Sequence, residues 1–123
     1  MRYQPDTSDF VIMNGTRRFN RALYGTNSAF RVEAGDLPEF ALYLPGMGGC
    51  FRLALISGST GKWLTDAQQI EARYRPGSML YHIHDEWLGE GTLHIHVLAM
   101  DEAEGMILRV STGDVPHDIQ LLW

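Results

Sequence analysis

One cysteine in the whole chain, Cys50, leaves no intrachain disulfide to form, so packing and hydrogen bonds must hold the fold. No apolar run approaches the roughly 20 residues that cross a bilayer as a helix. The opening Met1-Arg2-Tyr3-Gln4-Pro5 does not lead into the apolar core of a signal peptide. Basic residues are also scarce: ten against fifteen acidic give a formal charge of -5, which repels phosphate backbones and anionic headgroups. The densest basic group, Arg17, Arg18 and Arg21, has no basic helix around it and reads as a solvated face. Together these absences describe a soluble chain without nucleic-acid or membrane partners.

What is present suits a packed core. With 123 residues, 45% of them hydrophobic, there is material for one domain over residues 1–123 and not for two. Thirteen glycines and five prolines cut the chain at short intervals, notably at Asn14-Gly15, Pro45-Gly46, Gly58 to Gly61, Pro76-Gly77 and Gly89 to Gly91. Segments between these breaks are of strand length, which predicts an all-β fold, an antiparallel β-sandwich built largely from hairpins.

Within that frame, Asn14-Gly15 predicts a type I′ turn whose hairpin continues through Arg18 to Leu23. Residues 40–44 are apolar on both faces and read as a covered central strand. Phe51, Leu53 and Leu55 alternate with Arg52 and Ala54, and Cys50 reads as core. Residues 63–74 satisfy a helical spacing, but Ile70, Ala72 and Tyr74 also alternate with Glu71, Arg73 and Arg75, which favours a strand. Ile119, Leu121 and Trp123 alternate to the last residue, with Trp123 read as core or interface. That ending predicts the N-terminal part of a longer protein.

Four of the five histidines fall in two pairs, His82-Ile83-His84 and His94-Ile95-His96, separated by the loop 85–91. Residues i and i+2 of a strand share a face, so an antiparallel hairpin pairing His84 with His94 and His82 with His96 puts all four imidazoles on one side. Such a face could take zinc or another divalent metal. The alternative is the wetter face of a hairpin whose other side is core. No other cofactor is indicated. The His-x-His pair resembles that of cupins, which hold a metal with it, although Glu86 arrives early and Glu90 late for their spacing.

Carboxylates gather in two loops, Asp85, Glu86 and Glu90 in one and Asp101, Glu102 and Glu104 in the other. A glycosidase needs two acids about 5 to 5.5 Å or about 6.5 to 9.5 Å apart, and loop acids beside glycines are ordinarily solvated. No catalytic residue is assigned. Trp63 and Trp87, beside turn-rich segments, are the candidate sugar-stacking rings. The run Gly58-Ser59-Thr60-Gly61-Lys62 imitates a phosphate loop but has Ile56 where the first glycine belongs and Trp63 where the hydroxyl belongs.

The runs 14–25 (NGTRRFNRALYG), 30–40 (FRVEAGDLPEF), 44–49 (LPGMGG) and 74–81 (YRPGSMLY) resemble a bacterial family of unknown function, domain family 4450. In that family such segments look like the N-terminal β-rich part of large secreted proteins whose later region is similar to six-hairpin glycosidases. The resemblance implies a secreted or periplasmic accessory domain, with a C-terminal glycosidase-like region of the same parent chain as its partner and carbohydrate as the material handled. By the same analogy Arg17, Arg18, Asn20 and Arg21 would lend a polar loop to a substrate cleft. The resemblance transfers no catalytic residue.

Overall fold

The computed structural model describes residues 2–123. In chain order the first strands are β1 (Gln4–Asp6), β2 (Asp9–Met13), β3 (Arg21–Leu23), β4 (Arg31–Ala34), β5 (Glu39–Leu44), β6 (Met47–Arg52) and β7 (Ala54–Ser57). They are followed by β8 (Thr60–Trp63), β9 (Gln69–Arg75), β10 (Ser78–His84), β11 (Thr92–Ala99), β12 (Met106–Gly113) and β13 (Ile119–Leu122). Leu64–Asp66 and Glu86–Leu88 form single 3-10 turns. Three antiparallel sheets result: β1-β2-β9-β10-β11-β12, β3-β4-β5-β6 and β13-β7-β8.

The all-β sandwich expected from the turn rhythm is the observed architecture. Period-two burial carries it: Ile70 and Ala72 on β9, Met79, Tyr81 and Ile83 on β10, and Leu93, Ile95 and Val97 on β11 are buried. Opposite them stand Leu23, Val32, Ala34 and Phe40 of the four-stranded sheet, joined by Leu53, Leu55 and Leu64. Each fully buried large side chain removes about 1.5–3 kcal/mol of unfavourable hydration, so these alternating rows outweigh local propensity. The Phe40 and Tyr81 rings meet edge to face with centroids 5.8 Å apart. Tyr81 also reaches across the sandwich, its hydroxyl donating to the Gly35 carbonyl at 2.8 Å.

Three two-residue turns sit where the glycines placed them, at Pro45-Gly46, Gly58-Ser59 and Pro76-Gly77. Gly46 and Gly77 have φ of 78° and 88°, and the preceding proline supplies the fixed negative φ that such turns use. The 69–75 segment is a strand, and the helical spacing before it yields only the Leu64–Asp66 turn.

The Asn14-Gly15 hairpin is not formed. Asn14 has φ of 49°, but Gly15 does not take the positive φ a type I′ turn requires, and β3 pairs with β4 instead of β2. Asn14 extends the β2–β9 ladder by one step: its N–H donates to the Ile70 carbonyl and its Oδ1 accepts from Ile70 N, both at 2.8 Å. The chain then crosses to the second sheet. Gly15 is needed for closeness, because a Cβ there would lie 2.5 Å from Asp36 Oδ2.

Two further corrections concern edges. Cys50 lies on β6, which pairs on one side only, and is exposed. Its apolar neighbours misled because only Phe51 of that strand packs against the core. Trp123 is 77% exposed, which removes the core half of its core-or-interface reading, whereas Ile119 and Leu121 of β13 do pack inward against the core. Among the described residues, no helix is long and apolar enough to cross a membrane.

Candidate functional site

A cleft of about 720 Å³ opens where the inner face of the six-stranded sheet runs out from under its cover, lined by Arg2, Tyr3, Phe10, Arg17, Asn20, Arg21 and Tyr74. Its floor comes from register. Pro5, Phe10, Tyr74, Met79 and Val97 are cross-strand partners in one row. Met79 and Val97 are buried at the centre of that row, while Phe10 towards the β1 edge is 40% exposed. The segment crossing from β2 to β3 brings Arg17, Asn20 and Arg21 to the same place.

Asp36 anchors the cleft from below. Its buried carboxylate accepts from the Tyr3 hydroxyl at 2.6 Å, Arg2 Nη1 at 2.8 Å and the Arg17 backbone N–H at 3.0 Å. Burial alone would oppose its ionisation. The hydrogen bonds from Arg2, Tyr3 and Arg17 reverse that and hold the carboxyl below its ordinary range. Burial first, and the bond to Asp36 second, push the Tyr3 hydroxyl upward, so Tyr3 remains a neutral donor.

Arg21 stacks between two rings, its guanidinium carbon 4.7 Å from the Tyr3 centroid and 5.3 Å from that of Tyr74. Its Nε is buried without a hydrogen-bond partner, and so is Asn20 Oδ1. Arg17 and Arg21 have no carboxylate within 4.0 Å among the described residues, whereas most other basic side chains do: Arg2 with Asp36, Arg18 and Arg52 with Glu39, Lys62 with Asp85, and Arg75 with Asp9. A planar guanidinium held on aromatic faces with spare N–H groups is a recognition element for an oxygen-rich ligand.

Of the sugar-site candidates read from sequence, the fold unites Arg17 and Asn20 and separates the others. Arg18 turns to Glu39 at 3.0 Å and borders a different depression. Trp63 is 45% exposed under the Arg52 guanidinium, 3.9 Å away. Trp87 packs against the core with Lys62 Nζ 5.0 Å from its ring. Lys62 and Trp63 are neighbours on one strand and project to opposite faces, so the two tryptophans do not form one platform. Arg2, Tyr3, Phe10 and Tyr74 were not singled out from the sequence. Phe10 and Tyr74 meet through the long-range pairing of β2 and β9, and Arg2 and Tyr3 arrive through their bonds to Asp36, neither of which a local pattern encodes.

The four histidines share the outer face of the six-stranded sheet, but with a register shifted by two from the expected one. His82 pairs with His94, His96 lies opposite Leu80, and the Thr92 hydroxyl lies 3.4 Å from His84 Nδ1. The loop 85–91 decides this: Asp85 is held by Lys62 at 3.0 Å and accepts from the N–H groups of Gln68 and Trp87, so β11 begins at Thr92. The His82 and His94 ring centroids are 4.7 Å apart, and His82 Nδ1 lies 3.0 Å from Glu71. The neighbouring row puts Arg109 opposite His96, a charge that disfavours a cation there. The donors fit a metal ion poorly: among the described residues, no three His, Cys, Asp or Glu side chains are grouped so that they could hold one.

One acid from each of the two loops cannot flank a single sugar bond, because the eight residues of β11 separate the loops by roughly 25 Å along the strand. Asp101, Glu102 and Glu104 are exposed, and Asp85 is buried in its ion pair. The phosphate-loop imitation is the β7–β8 hairpin, whose Lys62 is committed to Asp85.

No curated protein and no solved structure matches this chain. A family model described as Domain of unknown function (DUF4450) matches residues 44–123, which takes in Tyr74 and the histidine rows and leaves the rest of the cleft upstream. With more than half of its length so matched, the chain belongs to the DUF4450 family.

Proposed function

We propose that this chain is a non-catalytic accessory domain of a secreted glycoside-hydrolase-like protein, and that the Arg21 cleft contacts carbohydrate. The observation that carries this reading is the composition of the cleft: Phe10 is an exposed apolar ring and Tyr74 lines the floor beside it, while Arg17 and Arg21, neither paired with a carboxylate, bring guanidinium groups to the same place. Saccharides present both kinds of surface, C–H faces that pack on aromatic rings and hydroxyls that need fixed donors and acceptors.

The non-catalytic role is supported by the state of three of the four buried carboxylates, the fourth, Glu39, being ion-paired with Arg18 and Arg52. Asp9, Asp36 and Asp85 are each bonded to a cation and held below the ordinary range, in Asp9 chiefly by Arg75 and in the other two by hydrogen bonds that outweigh burial. A glycosidase general acid needs the opposite, a carboxyl kept protonated by its surroundings.

Affinity electrophoresis of the 123-residue chain through gels containing polysaccharide tests the reading. Retardation by at least one polysaccharide, lost in Tyr74→Ala with the fold intact by circular dichroism, is the expected result. Unchanged mobility across plant, algal and bacterial polysaccharides would remove it.

A further inference from the structure

Arg17, Arg21 and Arg109 stand apart among the ten basic side chains in having no carboxylate within 4.0 Å among the described residues. Two of these three line the same cleft. The chain as a whole carries a formal charge of -5, so an uncompensated pair of guanidinium groups is a local exception. The one carboxylate at the cleft, Asp36, has both oxygens occupied, Oδ1 by Tyr3 and Oδ2 by Arg2 and the Arg17 N–H. It neutralises Arg2 and leaves Arg17 and Arg21 with their charge.

We infer that the cleft selects acidic saccharides, binding the carboxylate of a uronic acid unit between Arg17 and Arg21. The inference rests on the carbohydrate reading above and narrows it to a charged substrate class. Arg21 is suited to the task because Tyr3 and Tyr74 fix its plane, so little side-chain freedom remains to be lost when a planar carboxylate docks in the two-pronged geometry that guanidinium favours. Its Nη1 also donates to the Asn20 carbonyl at 3.3 Å, a second restraint on the guanidinium where it lines the cleft. Tyr74 and Phe10 then lie beside the pyranose ring that bears the acid. A neutral sugar would leave both cations of the cleft without a counter-charge, which sets the direction of the preference.

Calorimetric titration of the 123-residue chain with oligogalacturonate, and with the same oligomer after reduction of its carboxyl groups to alcohols, separates the outcomes. Expected are binding of the acid form, weakening of about tenfold or more on carboxyl reduction, and a similar loss in Arg21→Gln, as suits one charge-assisted hydrogen-bonded contact. Arg17→Gln, at an exposed position, should weaken binding with no change in urea midpoint. This guards against a folding defect in the Arg21 variant. Added salt should also weaken the acid form. Equal binding of the acid and reduced oligomers overturns the inference and leaves the carbohydrate reading standing. Binding of neither form, in a chain that also ignores neutral polysaccharides in gels, overturns both.

Discussion

The Tyr81 hydroxyl, wholly buried at the centre of the larger sheet, donates to the carbonyl of Gly35 on the opposite side of the sandwich at 2.8 Å. Burial pushes this phenol well above its ordinary range, so it is a permanent donor. Gly35 is itself confined, since a Cβ there would meet the Arg17 carbonyl oxygen at 2.7 Å and Phe19 N at 2.8 Å. The bond therefore ties the core to the backbone that carries the cleft arginines.

Tyr81→Phe keeps the ring against Phe40 and removes the hydroxyl that donates to the Gly35 carbonyl, so it should cost about 1–3 kcal/mol, the penalty of an unsatisfied buried carbonyl. Tyr81→Ala should cost more, about 3–5 kcal/mol, because it also opens a cavity. Urea unfolding of both variants measures the difference. Equal midpoints for wild type and Tyr81→Phe would mean that the hydroxyl contributes nothing.

Acid should unfold the chain through its ion-paired aspartates. Asp9, Asp36 and Asp85 have folded-state values below the usual aspartate value of about 3.9, so the unfolded chain binds protons more readily. Their contribution is complete above about pH 3.9 and disappears as the pH falls through the lowered folded values. Asp36→Asn should lose about 1.5–3 kcal/mol at neutral pH through weakened bonds to Arg2 and Tyr3, and should show a shallower loss in acid. A variant whose acid profile superimposes on wild type would place the sensitivity elsewhere.

A second titration lies closer to neutrality. Burial lowers His82, although the nearby Glu71 works against it, and burial with Arg75 and Arg109 lowers His96. The folded state thus prefers these rings neutral. Their contribution is full above the unfolded value of about 6.5 and is lost as the pH falls through the lower folded values. Urea midpoints should decline between pH 7.5 and 5, before the aspartates begin to titrate, and His96→Gln should flatten part of that decline. A midpoint that rises over this interval has the opposite sign and rules the account out.

What the sequence made legible follows from range. Pro45-Gly46 and Pro76-Gly77 announce turns because the two residues themselves set the backbone angles, and Ile70, Ala72 and Tyr74 announce a strand because period-two spacing is local. Asn14-Gly15 uses the same letters for another purpose, a ladder step and a close approach to Asp36, which lies twenty-one positions on from Gly15. The histidine face was readable and its register was not, because the start of β11 depends on Lys62 and Gln68 gripping Asp85 from outside the hairpin. The cleft was half readable: Arg17, Asn20 and Arg21 are near neighbours, while Phe10 and Tyr74 join them only through sheet pairing and Tyr3 through its bond to Asp36.

Gly15 and Gly46 allow the two uses of glycine to be told apart. Gly46 has φ of 78° with nothing within 4 Å of where a methyl carbon would stand, so Gly46→Ala should cost only the left-handed backbone term, about 1 kcal/mol. At Gly15 the new methyl carbon would stand 2.5 Å from Asp36 Oδ2 and 2.6 Å from its Cγ, which forces the buried carboxylate to move. Overpacking of this kind costs about 1–3 kcal/mol, and here it also disturbs the bond that Arg17 N donates to Asp36. Gly15→Ala should therefore be the more destabilised of the two in urea and should shift the Arg17 amide resonance, while Gly46→Ala leaves that resonance in place. If Gly15→Ala proves as mild as Gly46→Ala and the Arg17 amide stays where it was, the close packing of Gly15 on Asp36 is not what supports the cleft.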